Sequence, residues 1–133
     1  GFSHVFADYI KNILIENINP LPIIGNGEQI RCFTWIEDTA SIIADYSFDK
    51  RAKGQAFNIC NVEPITMKTL AHKIYSHTDS NTGLHFTTTK NFKHDVLIRI
   101  PSVQKFTDTF GEHTYQPVDK SIDICVKHTM DNS

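Results

Sequence analysis

Three arginines occur in this chain, Arg31, Arg51 and Arg99, and two of them sit where a fixed cation has to be explained. Arg31 stands in the β-prone run Ile30-Arg31-Cys32-Phe33-Thr34-Trp35, which leaves a Gly25-Asn26-Gly27 turn. A guanidinium is never neutralised, so among apolar neighbours it must meet an anion or reach solvent. Its planar fork is the side chain best shaped to grip phosphate or carboxylate oxygens two at a time. Arg99 lies within Asp95-Val96-Leu97-Ile98-Arg99-Ile100-Pro101-Ser102, ahead of a helix start, whereas Arg51 falls in the charged loop Asp49-Lys50-Arg51-Ala52-Lys53. The chemistry open to Arg31 and Arg99 is therefore the binding of an anionic ligand. The plainer reading of Arg31 is a rim arginine on an edge strand.

Other reactive side chains lead less far. Tyr46-Ser47-Phe48-Asp49-Lys50 places a lysine one helical turn after a tyrosine, an arrangement that lowers a phenol's pKa for base catalysis. The pair lies at the fraying end of a helix, however, and is not taken as catalytic; no residue of the chain is. Cys32, Cys60 and Cys125 are odd in number and far apart, so they read as reduced and mostly buried. Of the seven histidines, only His72 and His77 are close, and five residues put them on different helix faces, so no metal site is expected.

The whole chain has the balance of one globular domain with a real core: 133 residues, 40% of them hydrophobic and 21% charged. A net charge of -2 with scattered lysines gives no basic field for nucleic acid. No apolar run reaches the ~18 residues of a membrane span, and no charged-then-apolar leader opens the chain, so a cytoplasmic location is expected. Gly1-Phe2-Ser3 runs straight into a helix, as it would in a fragment or a trimmed chain.

The elements that must position the arginines follow from periodicity. Ser3 can cap a helix with Val5, Phe6, Tyr9, Ile10, Ile13 and Leu14 on adjoining rows, closed by Pro20. Pro22-Ile23-Ile24, the Gly-Asn-Gly turn and Ile30 to Trp35 read as a hairpin of two strands. A helix starts near Asp38, a helix-start residue, and runs to Tyr46 with Ala40, Ile43 and Ala44 inward. Residues 55–61 read as a buried strand, and Thr66 caps a helix with Met67, Leu70, Ala71 and Ile74 on one face. Residues 84–89 alternate as a short strand, Ser102 caps a helix from Val103 to Phe110 that Gly111 ends, and Val118, Ile122, Cys125 and Thr129 mark a last helix to Met130.

Two of these stretches carry a family pattern. Gly25-x-Gly27-x-Gln29-x-Arg31-x-Phe33 followed by Ile36-x-Asp38, and Asp95-x-x-x-Arg99-x-Pro101-Ser102-x-x-Lys105, resemble signatures in the C-terminal lobe of extended short-chain dehydrogenase/reductases, the NAD-dependent nucleotide-sugar epimerases, dehydratases and decarboxylases. Asn58-Ile59, a loop, Thr66 and Leu70-Ala71-x-x-Ile74 match the family's scaffold. The resemblance implies an α/β lobe of about five helices and four short strands spanning residues 1–133. It implies that Arg31 and Arg99 hold the diphosphate of a nucleotide sugar, that Ile24 and Val5 flank the base, and that Asp95 binds a ribose hydroxyl. A core isoleucine at Ile24 and a turn-capping aspartate at Asp95 are the plainer readings of those two positions.

What is missing also bears on function. No Gly-x-x-Gly-x-x-Gly turn occurs, so NAD is expected on a Rossmann lobe outside this sequence and no cofactor on this chain. The family's tyrosine-lysine pair precedes its Gly-x-Gly-x-Gln-x-Arg turn, whereas Tyr46 and Lys50 follow it. After the short helix this chain reads Phe110-Gly111-Glu112-His113-Thr114-Tyr115-Gln116-Pro117, without the family's tryptophan and with a longer loop. The expected role is thus the substrate-binding part of an isomerase, lyase or oxidoreductase of nucleotide-sugar metabolism, inactive alone. Its expected partners are a nucleotide-diphosphate sugar, the Rossmann lobe, and a second copy of the chain through the apolar patch that a missing lobe would leave. The alternatives are a stand-alone, non-catalytic interaction module derived from that lobe, and a binding domain of convergent sequence.

Overall fold

In the computed structural model, residues 4–90 and 95–133 are described. Ser3, expected to cap the first helix, lies outside them. Helix α1 (Val5–Ile10) runs on as a π-helical turn over Lys11–Ile15 and ends ahead of Pro20, the chain reversing at Asn17, whose φ is +51°. Strand β1 (Leu21–Ile24) and strand β2 (Ile30–Arg31) follow, then α2 (Ile36–Tyr46), β3 (Ile65–Thr66), α3 (Met67–Tyr75), β4 (Phe86–Thr89), α4 (Gln104–Phe110) and α5 (Val118–Asp131). Five helices and four short strands make the mixed α/β domain that the sequence implies.

The core is built by α1, α3 and α5 closing on β1 and β3. Leu70, Ala71 and Ile74 of α3 are fully buried against Tyr9, Ile10 and Ile13 on one side and Val118, Ile122 and Val126 on the other. The i, i+3, i+4, i+7 stripe of α3 thus lies where its spacing places it, and Thr66 Oγ1 accepts from the Thr69 amide at 3.1 Å as its cap. Outside the core, Lys73 and His77 meet Asp119 and Asp123 at 2.6 and 2.8 Å, one turn apart on both helices. In α5 the inward row is Val118, Ser121, Ile122 and Val126, with Cys125 and Thr129 only half-buried.

Three expectations are corrected. β1 and β2 do not pair as a hairpin: β1 runs parallel to β4, with Leu21 opposite Phe86, and β2 runs antiparallel to β3, with Ile30 opposite Thr66. The turn carries the chain from one two-stranded sheet to the other instead of folding it back. Residues 55–61 form no strand. Side chains hold this extended segment: Lys105 donates to the Ala56 carbonyl, Asn58 to the Ser102 carbonyl, and the Asn61 amide to Thr34 Oγ1. In α2 the inward row is Asp38, Ile42 and Tyr46, not Ala40, Ile43 and Ala44; Ile43 is 53% exposed. The cause is the partner this helix meets, a small aromatic cluster in which Tyr46 packs on Phe106 and Phe110, with Phe57 beside them.

At the start of α4, Ser102 lies one residue outside its expected place, its Oγ 3.5 Å from the Gln104 amide and Val103 between them. All three cysteines are free thiols, Cys60 buried and the others half-buried. Among the described residues, no helix is long and apolar enough to cross a membrane, and no three His, Cys, Asp or Glu side chains are grouped to hold a metal.

Candidate functional site

The site begins at Gly27, with φ at +77°, a conformation that costs a side-chain-bearing residue but not glycine. A Cβ here would stand 3.0 Å from Ile23 Cδ1 and 3.2 Å from Lys68 Cβ, so the backbone can pass this close to α3 only as glycine. The close passage is used. The Gly27 carbonyl accepts from the Lys68 amide and the Gln29 carbonyl from the Met67 amide, which occupies two of the unpaired N–H groups at the start of α3. Residues 27–29 are thereby fixed to the most buried helix of the domain, and Arg31 follows two residues on.

Beside β2 lies the segment 95–99. The Ile30 amide donates to the Leu97 carbonyl at 2.7 Å, the Arg99 amide donates to the Ile30 carbonyl at 3.0 Å, and Ile30 and Ile98 form a parallel bridge. Arg99 is thus anchored through its amide to the residue before Arg31. The bridge brings the segment that carries Arg99 to the strand that carries Arg31. Sixty-eight residues of sequence separate the two arginines.

Arg31 is not free. Its Nη2 meets Asp95 Oδ1 at 3.1 Å, and its Nη1 donates to the carbonyls of Ile30 at 2.8 Å and Leu97 at 3.3 Å. Both side chains are about four-fifths covered, Arg31 at 22% exposure and Asp95 at 21%. Three of the five guanidinium N–H groups are engaged, which leaves Nε–H and one Nη2–H for a ligand. Arg99 is exposed, and no described side chain pairs with it. Arg31, Asp95 and Arg99 together carry one excess positive charge, the sign an anionic ligand needs.

Of the other positions singled out in the sequence, Ile24 ends β1 and joins the site through its carbonyl, which accepts from Gln29 Nε2 at 3.0 Å. Val5 packs at the first turn of α1 against the core, apart from this hydrogen-bonded group. The structure thus brings together Arg31, Arg99, Asp95 and Ile24, and leaves Val5 outside that set. Gln29 joins them, although sequence reasoning gave it no role beyond its place in the motif.

Groups elsewhere are committed to structure. Tyr46 is packed on Phe106 and Phe110, while Lys50 opens a 3-10 turn over Lys50–Ala52, so the pair is not set up as a base. Arg51 grips both oxygens of Asp49, donates to the Thr109 carbonyl at 2.7 Å and covers the Phe110 ring at 4.8 Å. Its guanidinium holds the Asp49 carboxyl down at about 2. Asp38, read as a helix-start residue, does lie in the first turn of α2; its carboxylate also accepts from the Gln116 amide at 2.9 Å and stands 3.6 Å from His113. An apolar cleft of about 690 Å³ between α1 and α5, lined by Phe6, Ile10, Ile15, Trp35, Ile124 and Cys125, shares no residue with the arginine site.

The sequence matches no protein-family model and no curated protein. Solved structures do match. Pal from Bacillus thuringiensis superposes with a TM-score of 0.81 at 18% identity, over 100% of this chain and 41% of that one. UDP-glucose 4-epimerase from Thermotoga maritima, solved with UDP-glucose, gives 0.73 at 17% identity over 99% and 41%. TunA, an NAD-dependent NDP-hexosamine 5,6-dehydratase involved in tunicamycin biosynthesis, gives 0.79 at 15% identity over 97% and 41%.

The chain has the fold of part of an NAD-dependent nucleotide-sugar epimerase or dehydratase. It spans about two fifths of the length of the structures it matches. The fold expected from the resemblance of the two arginine motifs is thus the fold observed.

Proposed function

We propose that residues 1–133 form the substrate-binding lobe of an NAD-dependent nucleotide-sugar epimerase, dehydratase or decarboxylase of the cytoplasm, and that this lobe grips the diphosphate. One observation supports the reading: the Arg99 amide is bonded to Ile30, the residue before Arg31, on a fold shared with an epimerase solved with UDP-glucose. Arg31 offers two N–H groups from a fixed fork, and Arg99 reaches the same anion from the solvent side. Ile24 and Val5 flank the base. Asp95 is left with free lone pairs toward a ribose hydroxyl, since each of its oxygens has one described donor.

This lobe contributes binding and aim. Holding the diphosphate fixes where the sugar lies, and binding energy from such remote groups raises the rate at the reacting carbon. The chain has no glycine-rich turn to cradle a dinucleotide, so NAD belongs on a Rossmann lobe outside this sequence. The cleft between α1 and α5 and the exposed Ile36 and Ile43 of α2 supply apolar surface for that lobe, or for a second copy where the chain stands alone. The test is a thermal-shift titration with UDP, dTDP, GDP and CDP beside NAD. Stabilisation that grows with one nucleoside diphosphate and not with NAD supports the reading. Equal, arginine-independent shifts with all five ligands contradict it.

A further inference from the structure

We infer that Gln29 is the positioning residue of the diphosphate clamp, and that it acts on Arg31 through Asp95. The inference rests on the reading of Arg31 as the clamp. Gln29 is 7% exposed, so its amide has been taken out of water and must find partners inside. Both donors do: Nε2 lies 3.0 Å from the Ile24 carbonyl and 3.2 Å from Asp95 Oδ2. Its Oε1 is buried with no partner among the described residues. An apolar side chain of the same length would fill this space without an unpaired carbonyl, so the feature that distinguishes glutamine here is the pair of donated hydrogen bonds.

Those two bonds convey a position. The backbone of Gln29 is tied to the first turn of α3 through its carbonyl and that of Gly27, so its side chain starts from the rigid core. Asp95 opens the segment that lies along β2, and Gln29 holds one of its oxygens while Arg31 takes the other. Arg31 is held at two ends. Nη1 rests on the Ile30 and Leu97 carbonyls, and Nη2 is held by Asp95. Without Asp95 the guanidinium plane pivots about Nη1, and the two unused donors lose their aim. The sequence of restraint runs from α3 to Gln29, to Asp95, to Arg31. Glutamate could not serve: it has no N–H for the Ile24 carbonyl and would set a second carboxylate beside Asp95.

The test uses the whole chain and two readouts. In ligand-free protein, ¹⁵N relaxation of the Arg31 Nε–Hε group reports how firmly the fork is held; its order parameter is expected to fall from about 0.8 to below about 0.6 in Gln29→Met. Asp95→Ala should do the same, and the double variant no more, because both substitutions cut one path. The second readout is the affinity for inorganic pyrophosphate. It is expected to weaken about tenfold in Gln29→Met, which leaves the charge of the site unchanged, the scale of one charge-assisted hydrogen bond misaligned.

An Arg31 Nε–Hε group as ordered in Gln29→Met as in wild type overturns the inference. So do losses of order that add in the double variant. The clamp reading fails separately, if Arg31→Ala leaves pyrophosphate affinity unchanged while the order parameters still follow Gln29 and Asp95. Gln29→Glu, which keeps the length and polarity of the side chain, carries the same expectation and replaces Gln29→Met should that variant not fold.

Discussion

Gly27→Ala probes the turn on which the whole site is hung. The substitution has two costs that can be separated. The first is conformational: at φ +77° an alanine gives up about 1–2 kcal/mol relative to the right-handed region. The second is steric. Ile23 Cδ1, at 3.0 Å, is the end of a flexible side chain and can swing away, but Lys68 Cβ, at 3.2 Å, sits at the start of α3 and is tied to Gly27 by the bond between its amide and the Gly27 carbonyl. Displacing either the turn or the helix end adds about 1 kcal/mol, in the range of modest overpacking. Gly54 is the control, with φ at +68° and nothing within 4 Å of an added Cβ, so Gly54→Ala carries the first cost alone.

Both substitutions restrict the unfolded chain equally, and that contribution cancels in the comparison. With a urea m-value of about 1.5 kcal/mol/M, Gly27→Ala should lower the unfolding midpoint by about 1.3–2 M and Gly54→Ala by about 0.7–1.3 M. Circular dichroism at 222 nm follows both transitions. A Gly27→Ala midpoint no lower than that of Gly54→Ala refutes the claim that residues 27–29 press against α3.

Two further outcomes follow from the polar contacts. Glu63 Oε2 accepts from the Val118 amide at 3.0 Å and from Asn61 Nδ2 at 3.2 Å, so it caps α5 from 55 residues away; Glu63→Ala should cost about 2 kcal/mol, or about 6–9 °C in Tm by calorimetry, and leave pyrophosphate binding unchanged. Asp49 has a folded pKa of about 2 against an ordinary 3.8, because Arg51 binds its charged form. A depressed folded value means that the stabilisation is present above pH 3.8 and is lost as pH falls toward 2, so Asp49→Asn should flatten the acid limb of the stability–pH curve there. An unchanged acid limb would mean that the pair does not persist in solution.

Helix α3 was legible because its stripe and its threonine cap agree, and its burial follows from them. The supposed hairpin was not. A Gly-Asn-Gly turn between two β-prone runs carries only local information, while the strand that completes β1 is β4, 65 residues further on at Leu21 and Phe86. Periodicity likewise gives α2 two candidate apolar rows, and what selects Asp38, Ile42 and Tyr46 is the aromatic cluster contributed by residues 57, 106 and 110, which no window around α2 contains. The extended segment 55–61 has the composition of a strand, yet side chains from Thr34 and Lys105 satisfy groups that a ladder would otherwise pair.

At the site, Arg31 and Arg99 could be named from residue type and motif. That Asp95 lies on Arg31, and that Gln29 holds Asp95, could not, since both contacts span 64 residues or more. A glutamine in a turn motif reads as a surface polar group until the fold buries it.

The central claim is that Arg31 and Arg99 together bind a diphosphate. Isothermal titration of the wild-type chain, Arg31→Ala and Arg99→Ala with the nucleoside diphosphate that gives the largest thermal shift tests it most directly. Each variant is expected to bind at least about tenfold more weakly, the equivalent of about 1.4 kcal/mol, while its urea midpoint stays near that of wild type. Wild-type affinity in either variant would contradict the account.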